Sequence, residues 1–110
     1  MNDKISPADQ LRLEHFQPLV GRMFLADCTP KAAEIMLAEA RLTAPSRDYV
    51  EQFGRLPFTL IFHTPPSRLL VEGIYQMKCG DFGPVPIYIE QTAPPVTGTV
   101  AGYYYQAVFY

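Results

Sequence analysis

Tyr103-Tyr104-Tyr105-Gln106-Ala107-Val108-Phe109-Tyr110 is the stretch on which the fold turns. It is aromatic and β-branched, without glycine or proline, and such residues suit a pleated, half-buried surface. Left unpaired, it would offer open backbone groups and apolar side chains to any other chain, an aggregation hazard. The stretch therefore predicts a central or near-central strand. Tyr103, Tyr105 and Phe109 share one of its faces; Tyr104, Val108 and Tyr110 share the other. One face must pack on a core, so Tyr104, Val108 and Tyr110 become a candidate partner-binding surface. Burial of both faces in a closed barrel or sandwich is the plainer alternative.

Read backwards from there, a loop of small residues and prolines (93–102) precedes the closing strand. Before it, Val85, Ile87 and Ile89 alternate against Pro86, Tyr88 and Glu90, which predicts a strand over 85–90. Pro86 cannot donate to a ladder, so it marks an edge or the strand's first residues. Gly80-Asp81-Phe82-Gly83-Pro84 reads as a turn with two glycines available for positive φ. The region 69–78 is a strand interrupted at Gly73, with Tyr75 and Met77 opposing Gln76 and Lys78. Phe58-Thr59-Leu60-Ile61-Phe62-His63 is a compact strand with Phe58, Leu60 and Phe62 on one face, ended by Thr64-Pro65-Pro66-Ser67. The polar segment 44–56 reads as an exposed, mobile loop.

The segment 31–43 is ambiguous. Its Ala, Glu, Met and Leu content favours helix on propensity, yet Met36, Ala38, Ala40 and Leu42 also alternate with Ile35, Leu37, Glu39 and Arg41. Further towards the start, 19–25 reads as a strand with a bulge or bend at Gly21, followed by a turn over 27–30. Ser6-Pro7-Ala8-Asp9 has the form of a helix start, and Leu11 and Phe16 can pin that helix to the core.

With 110 residues, the chain is long enough for one hydrophobic core and no second. The expected organisation is a single domain, 1–110, with a helical lid over 1–18 and a β core over 19–110. A formal net charge of −2 and only nine scattered Lys and Arg residues leave no footprint for nucleic acid. Eleven prolines fall between the apolar runs and favour short strands and turns over long helices. No apolar run approaches the roughly 18 residues a bilayer requires, and the start lacks a signal-peptide core. Those features predict a cytoplasmic chain without a membrane partner. Cys28 and Cys79 are then expected as reduced thiols and not as a bridge.

Four pieces occur in a suggestive order: Phe16-Gln17-Pro18-Leu19-Val20-Gly21, Phe58-Thr59-Leu60-Ile61-Phe62, Gly73-Ile74-Tyr75-Gln76-Met77 with Phe82-Gly83, and Tyr105-Gln106-Ala107-Val108-Phe109. Together they resemble a family of small bacterial proteins known only as a domain of unknown function, over roughly residues 11–110. The family begins with F-x-P-L-V-G, carries an F-[ST]-L-x-F strand and ends in Y-[EQ]-A-V-F. The resemblance supplies no catalytic residue. It implies a β-favouring segment at 31–43, which moves that segment to strand against its propensity. It also ranks an accessory role in a phage-tail-like or other multi-protein assembly ahead of other roles.

Nothing in the motifs announces chemistry. His15 and His63 lie far apart and lack the paired spacing of a zinc site. Cys79 beside Lys78 has no sequence-adjacent base, which a nucleophile needs. Asp48 and Glu51 serve solubility in a polar loop, and Gly80 and Gly83 lack the Lys-Ser/Thr of a phosphate-cradling loop. Neither a cofactor nor a metal is expected.

The expected fold is mainly β: a small antiparallel barrel or sandwich of about six or seven strands with a short N-terminal helix. The expected function is a non-enzymatic interaction or structural module that binds a protein partner or a second copy. The alternative is a small barrel holding an apolar molecule among Phe58, Leu60, Phe62, Tyr75, Ile87 and Phe109.

Overall fold

The closing stretch has a strand on each side of it. In the computed structural model, which describes residues 11–28, 32–43, 57–94 and 100–109, six strands pair antiparallel into a closed barrel. They are β1 (Met23–Ala26), β2 (Ala33–Leu42), β3 (Phe58–Thr64), β4 (Gly73–Cys79), β5 (Phe82–Thr92) and β6 (Tyr103–Phe109). Their order around the barrel is β1-β2-β3-β6-β5-β4, and β1 pairs with β4 to close it. Closure removes the open edges that such apolar strands would otherwise expose.

β6 pairs with β3 along its whole length, Phe58↔Phe109 to Thr64↔Tyr103, and with β5 at Glu90↔Gln106, Gln91↔Tyr105 and Thr92↔Tyr104. Beyond Glu90 the β5–β6 pairing stops, so the first part of β5, including Pro86, runs without β6 beside it. That is where a residue with no N–H costs least.

Inward side chains follow the alternation of the sequence. Phe58, Leu60, Phe62, Met77, Val85, Ile87, Ile89, Tyr105 and Ala107 are all buried in one core, and Tyr75, Tyr103 and Phe109 pack against it. In β2 the propensity argument for helix loses: the segment is a strand. Its pairing with β3 shifts register between Leu37 and Glu39. Ala38 is the extra residue, so Leu37 opposite Phe62 and Ala40 opposite Leu60 both reach the core side. A single bulge thus explains why neither alternation held along the whole segment.

Two corrections apply near the start. The strand expected from Leu19 begins at Met23, because Leu19 closes a 3-10 turn (Gln17–Leu19) that continues the short helix α1 (Leu13–Phe16). Pro18 tolerates that turn, which asks no backbone N–H of it. Gly21 has φ 90 and donates to the Leu37 carbonyl at 2.7 Å, while Leu37 N–H donates to Arg22 O at 3.1 Å. The chain is therefore already laid along β2 before the strand proper begins. The helical segment also extends one residue past the expected lid boundary at 18. The proposed helix start at Ser6, the turn residues 29–30, the loop 44–56 and Tyr110 lie outside the described residues.

Each end of the barrel is filled. At one, Phe16 from α1 is fully buried with ring centroids 5.9 Å from Phe58, 5.2 Å from Phe82 and 5.8 Å from Phe109. It spans the gap that β5 and β6 leave when they part. At the other, the β3–β4 connection brings in Leu70, whose N–H donates to the Tyr105 hydroxyl at 2.9 Å. Tyr105 Oη also lies 2.9 Å from Thr64 Oγ1, and Thr64 Oγ1 donates to Arg68 O at 2.7 Å. A buried hydroxyl left without such partners would be costly.

Candidate functional site

The outward face of β6, with Tyr104, Val108 and Tyr110, is the surface expected to meet a partner; Tyr110 lies outside the described residues. Tyr104 does lie on the outward side, but it is only 3% exposed. Its hydroxyl accepts from Val100 N–H at 2.8 Å and faces Val100 O at 3.2 Å, and its ring lies 4.9 Å from the His63 ring. His63 Nε2 in turn meets the Ala101 carbonyl at 2.9 Å, so it is that nitrogen that carries the proton. Residues 100–102 thus fold back over the strand. Gly102, at φ 134, makes this approach possible: a Cβ there would strike the Thr64 carbonyl oxygen and lie 2.6 Å from His63 Nε2. Val108 is half-buried. Of the trio Tyr104, Val108 and Tyr110, the one tyrosine described is a structural clamp with no ring face to offer.

The outer side of β3 is closed as well. Thr59 and Ile61 are each 5% exposed although their strand partners Phe58, Leu60 and Phe62 already fill the interior. Thr59 Oγ1 hydrogen-bonds Thr43 Oγ1.

The opposite wall differs. On β4, Ile74, Gln76 and Lys78 point outward and are exposed; on β5, Tyr88 does the same, directly across from Ile74. Ile74 is 70% exposed and Tyr88 47%. On β1, Met23 and Leu25 face solvent, and Leu25 pairs with Lys78. An open cleft of about 460 Å³ runs here, lined by Leu25, Asp27, Ala32, Gln76, Lys78 and Pro84. Asp27 is held beside β4 by its N–H, which donates to Gln76 O at 3.0 Å. Pro84 follows a cis peptide bond from Gly83, which has φ 87 and packs so near β4 that a Cβ added there would lie 2.5 Å from the Met77 carbonyl oxygen.

Desolvation, with the carboxylates of Glu72 and Glu90 adding to it, holds the Tyr88 hydroxyl above the usual tyrosine value. Tyr75, on the inner side of β4, is raised by burial first and then by Cys28 and Tyr105. Its hydroxyl donates to Val71 O at 2.5 Å, a bond that requires the proton.

The residues first considered for chemistry are used otherwise. His15 Nδ1 accepts the Arg12 N–H at 3.1 Å at the start of α1. Cys79 is buried in β4, and Cys28 is a separate, half-buried thiol. Among the described residues no three His, Cys, Asp or Glu side chains gather as metal ligands, and no helix is long and apolar enough to cross a membrane. The six side chains considered for an apolar ligand are spent on the core: Phe58 and Phe109 stack with centroids 4.6 Å apart, and Phe62 meets Phe24 edge-on at 5.5 Å.

Sequence reasoning missed the β1–β4–β5 face, although a signal was there. Ile74 and Tyr88 occupy the parity of Gln76, Lys78 and Glu90, where water should be met by polar groups.

Such a chain belongs to the class of small, closed, six-stranded antiparallel barrels whose interior is packed with side chains. More particularly, it belongs to the family described as domain of unknown function DUF6916, whose model matches residues 11–109. No curated protein and no solved structure matches the chain.

Proposed function

We propose that the chain is a non-enzymatic interaction module whose partner-facing surface is the outer side of β1, β4 and β5. One observation carries this: Ile74 and Tyr88 stand opposite each other in solvent on adjacent strands, whereas Ile61, the outward isoleucine of β3, is buried. Exposed apolar side chains grouped beside a cleft mark contact surfaces more often than accidents. Both histidines serve backbone groups, and Cys79 lies inside the sheet, which supports a role without catalysis. The resemblance of the sequence motifs supports an accessory role in a multi-protein assembly, such as a phage-tail-like one, inside the cell.

Photo-crosslinking tests the reading. A benzophenone side chain replacing Ile74 is expected to give a discrete protein adduct in cells, whereas the same group at Arg41, exposed on β2 opposite Thr59 and away from β4, gives none. Equal or absent adducts at both positions would sink it. The other role, a barrel for an apolar molecule, finds its six residues already packed on one another. Native mass spectrometry showing a fixed extra mass of a small molecule would restore it.

A further inference from the structure

We infer that the outer face of β1, β4 and β5 takes a second copy of the same chain, with Lys78 of each copy set against Asp27 of the other. The inference rests on the interaction-module reading and names the partner of that surface.

The argument starts from charge. Asp27 and Lys78 line the same cleft, both are exposed, and among the described residues neither forms an ion pair. Leu25 pairs with Lys78, and Asp27 bonds the neighbouring Gln76, so the two charges sit on a diagonal of the β1–β4 ladder. Diagonal positions lie about 7–8 Å apart. A patch with one acid and one base so placed complements itself: a twofold rotation brings each acid over the partner's base. That is the condition for an isologous contact, the commonest form of association between identical chains. A patch of one sign would instead repel its own copy.

The apolar part fits the same operation. Leu25, Ile74 and Tyr88 flank the cleft, so rotation lays apolar surface on apolar surface around the charged pair. Bulk repulsion is small, because each chain carries a formal net charge of only −2. Size sets the strength. β1, β4 and β5 hold 4, 7 and 11 residues; at about 3.3 Å per residue and about 4.8 Å between strands they present roughly 350 Å² of flat sheet. A standard stable interface buries about 800 Å² per partner, so the contact belongs to the weak, concentration-dependent class.

Sedimentation velocity on the full chain, from about 10 μM to about 1 mM, is the experiment. Dimer is expected to grow in across that range. Ile74→Glu, Asp27→Lys and Lys78→Glu should each move the midpoint up by about tenfold. All three positions are exposed, and circular dichroism is expected to be unchanged. Mixing Asp27→Lys with Lys78→Glu should restore association, because both cross-pairs become attractive in the mixed dimer and only there. A chain that stays monomeric throughout overturns the inference. So does a dimer indifferent to all three substitutions, or a mixture no tighter than its components. A monomer whose Ile74 crosslinker captures a different chain overturns the second copy and leaves the module reading standing; a monomer with no adduct ends both.

Discussion

Two of the described isoleucines point out of this barrel, and their fates are opposite. Ile61, on β3 between Glu39 and Gln106 in register, is 5% exposed; Ile74, on β4 opposite Tyr88, is 70% exposed. Both have the outward parity of a strand whose inward residues are buried. One wall is covered on both sides, with Thr59, Ile61 and Tyr104 all withdrawn from water. The other keeps its outer side open around a cleft. Strand alternation alone cannot separate them; what covers the outside of a sheet is contributed by loops and neighbouring side chains. A position's parity therefore predicts which wall it points through, and not whether it meets water.

The largest expected effect comes from the covered wall. Ile61→Asn places an amide where water is excluded and should cost about 3 kcal/mol or more of stability, while Ile74→Asn should stay within about 0.5 kcal/mol. Chemical denaturation of the two variants checks this; equal losses would erase the contrast. Gly102→Ala, which forces a Cβ onto the Thr64 carbonyl at positive φ, should cost about 2–4 kcal/mol. The accompanying loss of the His63–Ala101 bond is readable as a shift of the His63 ring resonances.

A smaller difference separates adjacent tyrosines. Tyr105→Phe leaves the Leu70 N–H without its acceptor inside the barrel and should cost about 1–3 kcal/mol. Tyr104→Phe removes a bond made to residue Val100 near the surface and should cost about 1 kcal/mol or less. Reversed order in thermal melts would place the essential clamp outside the barrel.

The smallest effect is on pH. Tyr75 and Tyr88 have hydroxyls raised above 10.0 in the folded chain. Between the unfolded and folded values the native state holds protons the unfolded chain has lost. Stability present below pH 10 therefore falls as pH rises through the folded values. Tyr75→Phe should flatten that fall, measured as the slope of melting temperature against pH.

Much of this architecture was legible in the residues. β3 and β6 are bounded by proline and glycine and alternate cleanly, so their inward faces could be named residue by residue. β2 stayed ambiguous on its own residues, and only the family resemblance moved it to strand, because the bulge at Ala38 breaks the period and local propensity carries no information about a partner strand's register. Leu19 misled for another reason: an apolar run ahead of Gly21 looks the same whether a 3-10 turn or a strand holds it. Tyr104 was placed on the correct side of β6, but its burial depends on residues 100–102 folding back, a contact that only Gly102 hints at. The open cleft needed β1, β4 and the turn before Val85 brought together, and no single segment encodes that.

The seams of the barrel are unequal, and this bears on how it opens. β4 and β5 are paired to each other from Gly73↔Ile89 to Cys79↔Phe82. Among the described residues their backbone pairing to the rest is Leu25↔Lys78, Ala26↔Met77 and the Asp27 N–H to Gln76 O bond on one side, and Glu90 to Thr92 on the other. A hairpin hung between two short seams is a unit of sub-global unfolding. Its inner amides should exchange with deuterium together, ahead of those in β3 and β6. Because the hairpin also carries most of the open face, anything that docks there would slow that exchange across the whole ribbon at once.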